Sequence, residues 1–222
     1  MQNQLIELSY AIERGKENQA SSYPPDMKDQ PGAYELTAQL LAENVKPDEI
    51  LKQGLMPGMQ RIGEKFAAGS AYIPDILISA RAMKTAMTLL KPFFDTGEAV
   101  LRGTIIIGTV AGDLHDIGKN IVRMALEGAG WQVIDLGVDA TSEKFLSALQ
   151  EYPQSIVGMS ALLTTTMMEM EKSVALIKDK YPHTPIFVGG APLTTAFAQK
   201  IGADGYFPDP HSFTTHLNNI LP

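Results

Sequence analysis

Residues 104–120 read TIIIGTVAGDLHDIGKN, and this stretch decides the fold. Ile105-Ile106-Ile107-Gly108-Thr109-Val110 is a β-branched apolar run of the length expected of a strand buried on both faces. A polar turn follows, Gly112-Asp113-Leu114-His115-Asp116. Gly118-Lys119-Asn120 then lead into a helical pattern with Ile121, Val122, Ala125, Leu126 and Ala129 on one side. A strand that feeds a polar loop and then a helix is the repeating unit of open α/β sheets, which hold ligands at the carboxyl ends of their strands.

Toward the carboxyl end the same alternation recurs. Strand-like runs lie at 104–110, 132–136, 155–160, 185–188 and 205–207, with helical runs at 119–129, 142–151, 167–180, 193–201 and 211–220. Five strands alternating with helices predict right-handed crossovers and a parallel sheet. The flavodoxin-like (Rossmann-like) order is expected, with the first and third strands meeting at the switch point. The loops 111–118 and 161–166 then face one crevice, with Gly189-Gly190 after the fourth strand beside them.

Toward the amino end the period is helical throughout. Leu5, Leu8 and Ile12 mark a helix from residue 4 to about 20, and a Pro-rich stretch at 21–32 reads as a loop. Helical spacing resumes at 33–43, again from Asp48 through Phe66, with Pro57-Gly58 expected to kink it, and again at 74–90. Short connections between four helices predict a bundle. Pro92 to Arg102 breaks the pattern. The expected organisation is therefore a helical bundle at 1–91, a linker at 92–102 and an α/β domain at 103–222.

Composition narrows the function. Of the 222 residues, 18 are Lys or Arg and 25 are Asp or Glu, a net charge of −7, and none is Cys. An acidic chain without a basic run is poorly suited to nucleic acid or to an anionic membrane surface. The lack of cysteine removes disulfides, Cys-bound zinc and thiol nucleophiles. No apolar run approaches the ~20 residues of a membrane span, and residues 1–15 lack the pattern of a signal peptide. A soluble, cytoplasmic protein is expected.

The chemistry then turns on Asp113-Leu114-His115. A carboxylate that accepts from one imidazole nitrogen fixes the tautomer and leaves the other lone pair free for a proton or a metal. The tripeptide alone reads more readily as a turn histidine with an acidic neighbour. Its position at the switch point favours a ligand, as do Gly118 beside it and the hydroxyls of Ser160, Thr164, Thr165 and Thr166 opposite. His183, His211 and His216 have no spacing that converges on His115, so a metal site built by the protein alone is disfavoured. The glycines lack P-loop density, Lys119 reads as a solvated first-turn residue, and Ser160 is not in a nucleophile elbow. No catalytic residue is assigned; what remains is one axial ligand offered to a group that brings its own metal.

Gly112 to Asn120 resembles the Asp-x-His-x-x-Gly signature of cobalamin-binding proteins, in the form seen in methionine synthase and in the small corrinoid proteins of methyltransferase systems. Gly158-Met159-Ser160-Ala161-Leu162-Leu163-Thr164 matches the family's Ser-x-Leu element, and Gly189-Gly190-Ala191 its Gly-Gly. Met56-Pro57-Gly58-Met59 through Gly63, Phe66, Pro74 and Ser79-Ala80-Arg81-Ala82-Met83 resembles the helical cap that precedes the cobalamin domain. The resemblance implies that His115 replaces the dimethylbenzimidazole as lower ligand of cobalt, that Asp113 bonds its far nitrogen, and that Thr166 stands where methionine synthase has a serine. It implies that Asp116, Ile117, Leu162 and Gly189 belong to the cofactor-binding loops, that Ser160, Thr164, Gly118 and Gly190 line the slot for the displaced nucleotide tail, and that Phe66 and Ile73 cap the methyl-bearing face. The implied function is a corrinoid methyl carrier working between a substrate:corrinoid methyltransferase and an acceptor methyltransferase that uses a folate or a thiol, with a reductive activase as a further partner. Two other readings from the same resemblance are a cobalamin-dependent sensor and a mutase subunit. The lone Trp131 outside the bundle and the absence of room for a DNA-binding domain count against the first, and the cap residues against the second.

Overall fold

The computed structural model describes residues 2–96 and 101–220. The chain divides into two compact units, Met1–Leu101 with Glu127–Gly130, and Arg102–Leu126 with Trp131–Pro222.

The first unit is helical. Helix α1 (Gln2–Arg14) ends at Gly15, whose φ is +70° and whose missing Cβ leaves room for Ile78, 2.1 Å from where a methyl would stand. The helix is therefore shorter than its apolar spacing suggests. The Pro-rich stretch that follows is a loop as expected, carrying one 3₁₀ turn, Pro25–Met27, and it is tied down by hydrogen bonds from Lys16 Nζ to Ser21 O and from Gln19 Nε2 to Asp29 O. Helix α2 (Ala33–Ala42) follows, then a continuous helical run made of α3 (Pro47–Glu49), a π-helical turn (Ile50–Leu55) and α4 (Met56–Ala67). The π turn stands where a proline kink is expected. Pro57 has no amide to donate and its ring crowds the preceding turn, and widening that turn relieves both. Helix α5 (Ile73–Asp95) opens with the amide of Tyr72 donating to Asp75 Oδ2 and runs past Pro92. The break expected at Pro92 is thus displaced: a proline this near the end forfeits little of the ladder, and one more turn forms around half-buried Phe93 and Phe94. Residues 97–100 of the expected linker lie outside the described residues. Leu8, Ile12, Leu40, Leu55, Met83 and Leu90 are among the buried residues of this unit.

The second unit is a five-stranded parallel sheet in the order β2-β1-β3-β4-β5, as the alternation of periods predicts. Its strands are β1 (Thr104–Thr109), β2 (Gln132–Asp135), β3 (Ile156–Ser160), β4 (Ile186–Gly189) and β5 (Gly205–Tyr206). Helices α6 (Ile117–Gly128), α7 (Ser142–Glu151), α8 (Met167–Lys180), α9 (Thr195–Ile201) and α10 (Pro210–Ile220) alternate with them. One face packs Ile106, Val157, Met159 and Val188 against Phe145, Leu149, Val174 and Ile177 of α7 and α8. Right-handed crossovers put α6 on the other face, where Phe213 of α10 also packs, against β3 at Gly158. The turns Tyr152-Pro153-Gln154-Ser155 and Tyr181-Pro182-His183-Thr184 repeat one solution to leaving a helix: the Ser155 and Thr184 amides close back onto the Tyr152 and Tyr181 carbonyls.

Among the described residues no helix is long and apolar enough to cross a membrane.

Candidate functional site

The register sets the site. Thr109, the last residue of β1, pairs with Ser160, the last of β3, and Ser160 with Gly189, the last of β4. The loops leaving these strands therefore lie side by side. Asp113, in the first of them, is fully buried. Its Oδ2 accepts from the Leu162 amide at 2.7 Å, the Leu163 amide at 3.3 Å and the Thr166 hydroxyl at 2.8 Å. Its Oδ1 accepts from the His115 amide at 3.1 Å and lies 2.8 Å from His115 Nδ1. Burial alone would raise the pKa of this carboxyl. The Leu162 amide, the His115 ring and amide, and the Thr166 hydroxyl outweigh it and hold the group well below the ordinary carboxylate range.

An ionised Asp113 can only accept, so His115 Nδ1 carries a proton and, in the neutral ring, Nε2 keeps its lone pair. The His115 side chain is 51% exposed, and its position is fixed from behind by the Thr109 hydroxyl, which donates to the His115 carbonyl at 2.9 Å. Farther back in the loop, Gly112 (φ +78°) donates its amide to Asp139 Oδ1 at 2.8 Å, and the Asp139 amide donates to the Asp113 carbonyl at 3.0 Å. One imidazole thus projects from a braced loop.

Large apolar side chains are exposed on the same loops and the helix starts that follow them. Leu114 is 72% and Ile117 70% exposed, and Leu162, Leu163 and Met168 are exposed as well. Such a patch at the ligand end of a sheet marks a surface that something covers. Beside it the strand ends are partly open: Ser160 of β3 and Gly189 of β4 are partly exposed, whereas Val157, Met159 and Val188, on the opposite face, are buried. Gly158, farther back on the same face, is covered by Ile107 and Phe213. A methyl on Gly118 would meet nothing within 4 Å.

The sequence-predicted residues sort as follows. Asp113, His115 and Thr166 form one hydrogen-bonded chain, with the Leu162 amide donating to it. Asp116 and Thr164 are exposed on the two loops, Ile117 and Gly118 are exposed in the first turn of α6, and Ser160 and Gly189 are the partly exposed last residues of β3 and β4. Gly190 (φ +135°) serves the protein itself: a Cβ there would lie 1.9 Å from the Ala161 carbonyl oxygen, so the missing side chain lets two loops touch. Phe66, half-buried near the end of α4, and Ile73, exposed at the start of α5, belong to the helical unit. Lys119 corrects the sequence reading. It is not solvated: its side chain is 4% exposed and its Nζ lies 2.7 Å from both carboxylate oxygens of Asp135. The partner stands on the next strand, outside the local pattern. Sequence reasoning also missed the Leu163 amide, Thr109 and Asp139; Thr109 is a polar residue at the end of an apolar strand run, Asp139 lies in the turn after β2, and the amide leaves no signature.

Among the described residues no group of three or more His, Cys, Asp or Glu side chains could hold a metal ion. His115 instead offers one neutral imidazole nitrogen among exposed apolar side chains, which fits a metal that comes already held by ligands of its own. Family comparison gives the same answer. Two family models, each described as a B12 binding domain, match residues 103–212 and 29–91. The chain is 40% identical over 193 residues to trimethylamine corrinoid protein 1 of Methanosarcina acetivorans, covering 85% of this chain and 89% of that one.

The chain belongs to the B12-binding corrinoid proteins.

Its cofactor is accordingly a cobalamin-type corrinoid. This corrinoid protein is also 36% identical to a corrinoid protein of Desulfitobacterium hafniense, over 84% of this chain and 89% of that one. Among solved structures it is similar to a cobalamin-binding protein of Desulfitobacterium hafniense (27% identity, TM-score 0.75, 98% of both chains). It is similar too to a chain of the methanol:cobalamin methyltransferase complex MtaBC of Methanosarcina barkeri (25% identity, TM-score 0.82, 98% of this chain and 79% of that one). The expected resemblance to corrinoid proteins of methyltransferase systems is borne out, as is the expected fold.

Proposed function

We propose that this protein is a methyl carrier that binds its corrinoid base-off with His115 Nε2 as the lower cobalt ligand, and that it works between a substrate-specific methyltransferase and an acceptor methyltransferase using a folate or a thiol. The observation that carries the reading is the chain His115–Asp113–Thr166, which leaves one imidazole lone pair free on a half-exposed side chain among exposed apolar residues. The bound cofactor supplies a cobalt centre that takes up and gives up a methyl group. The protein's part is to hold and tune. Asp113 keeps the proton on Nδ1, so Nε2 donates as a neutral ligand whose basicity the carboxylate raises. The Leu162 amide and Thr166 hydroxyl keep that carboxylate ionised. Leu114, Ile117, Leu162 and Leu163 would cover apolar surface of the macrocycle, with Asp116 on the same cofactor-binding loop as His115. Gly118, Ser160, Thr164 and Gly190 would line the space for the tail, with Gly189 beside them, and Phe66 and Ile73 would shield the methyl group.

A methyltransferase partner is supported by the company the chain keeps: its relatives are named for trimethylamine and dimethylamine, and a structural neighbour is a methanol:cobalamin methyltransferase complex. A reductive activase completes the proposed set. The test loads the purified chain with cobalamin carrying a ¹⁴C-labelled methyl group and mixes it with the methyltransferase that co-purifies with it. Loss of the methyl-cobalt absorbance, with the label appearing in the product, is expected for wild type and is expected to slow strongly in His115→Ala. A loaded chain that neither receives nor releases a methyl group with any co-purifying methyltransferase overturns the carrier reading.

A further inference from the structure

We propose that Lys119 and Asn120 are positioning residues: a chain of hydrogen bonds, Asp135–Lys119–Asn120–Asp116, clamps the outgoing end of the His115 loop and holds the imidazole ready for metal. This rests on the reading of His115 as a lower ligand. Lys119 is the starting point because a buried ammonium is costly and a hydrophobic side chain of its size often does as well for stability alone. Asp135 neutralises it through both oxygens at 2.7 Å and is itself fixed by the Gly137 amide at 2.9 Å. The third bond of Lys119 goes to Asn120 Oδ1 at 2.9 Å.

That bond sets a direction. An ammonium only donates, so the Asn120 amide must present its oxygen to Lys119 and its nitrogen to the other side. There Nδ2 donates to Asp116 Oδ2 at 2.9 Å, a carboxylate that only accepts. The Asn120 backbone amide also donates to the Asp116 carbonyl at 2.8 Å. Asp116, the neighbour of His115, is exposed, so without this clamp its side chain has water for a partner. The incoming end of the loop is fixed independently, through Gly112 and Asp139. The two anchors together leave the imidazole little freedom to swing.

The test compares wild type, Asn120→Ala, Asp116→Ala, Asp116→Asn and Lys119→Met, each loaded with cob(II)alamin. The ligated fraction is read from nitrogen hyperfine splitting in the electron paramagnetic resonance spectrum. Asn120→Ala and Asp116→Ala should each lower the ratio of ligated to unligated cobalt about tenfold, the scale of one charge-assisted hydrogen bond. Asp116→Asn keeps an acceptor for Asn120 and should recover most of the ligation lost in Asp116→Ala. Amide exchange over 112–118 in the cofactor-free chain should quicken in Asn120→Ala while that of β3 does not change. Lys119→Met tests the buried end, and if it fails to fold the other variants carry the decision. Wild-type ligation and wild-type exchange in both Asn120→Ala and Asp116→Ala would overturn the clamp. His115→Ala separates the two ideas: if it retains a histidine splitting, the ligand assignment fails, and the clamp is then judged on amide exchange.

Discussion

At the scale of single residues, Asp113 carries most of the weight. A carboxylate cut off from water needs donors on every side, and it has the amides of Leu162, Leu163 and His115, the Thr166 hydroxyl and the His115 ring. Its native pKa lies below the unfolded value of about 4, so ionised Asp113 adds stability at pH above that value. The contribution is lost as pH falls from there through the native pKa. Asp113→Asn sets an NH₂ donor among donors, and at pH 7 it should cost about 2 kcal/mol in urea denaturation. The difference from wild type should shrink at pH 3; a constant difference across that range contradicts the assignment. Part of this was legible in the sequence. The Asp-x-His spacing is local, and the place of Thr166 followed from the family resemblance. The two leucine amides were hidden because any residue offers an amide. Lys119 was misread because its partner, Asp135, lies on another strand and can be found only once the sheet is folded.

Elements place these residues, and glycines show where elements need room. Gly190 and Gly118 make opposite predictions although both lie at the site. Gly190→Ala forces a methyl onto the Ala161 carbonyl at a positive φ and should cost about 3 kcal/mol of stability in the cofactor-free chain. Gly118→Ala adds a methyl to open space near the start of α6, so the cofactor-free chain should be no less stable, by up to about 1 kcal/mol in its favour. Its corrinoid uptake, followed by absorbance titration, should be weaker. If both variants behave alike, one of the two placements is wrong. Strand and helix periods were readable because the sheet is buried on both faces and its helices on one, which leaves distinct patterns in β1 and α6. The π turn before Pro57 and the extra turn beyond Pro92 were not readable. Each depends on how a helix accommodates a missing amide, and sequence pattern does not record that.

The whole molecule joins a helical unit to a sheet unit, and relatives that match across 84–85% of the chain match both. The proposed division of labour gives the lower ligand to the sheet unit and the shield to the helical one. Phe66→Ala combined with Ile73→Ala should therefore leave corrinoid uptake and lower ligation as in wild type, yet speed loss of the methyl group under illumination several-fold, because an unshielded methyl radical escapes before it can recombine. An unchanged photolysis rate removes those two residues from the shield. Beneath all of this stands the bond from His115 to cobalt. Its most direct measurement is electron paramagnetic resonance of cob(II)alamin bound to protein grown with ¹⁵N-histidine. The account predicts that each cobalt line, a triplet with natural nitrogen, becomes a doublet in wild type and that the splitting vanishes in His115→Ala. A triplet that survives the labelling means benzimidazole still holds the metal, and the account is then contradicted at its centre.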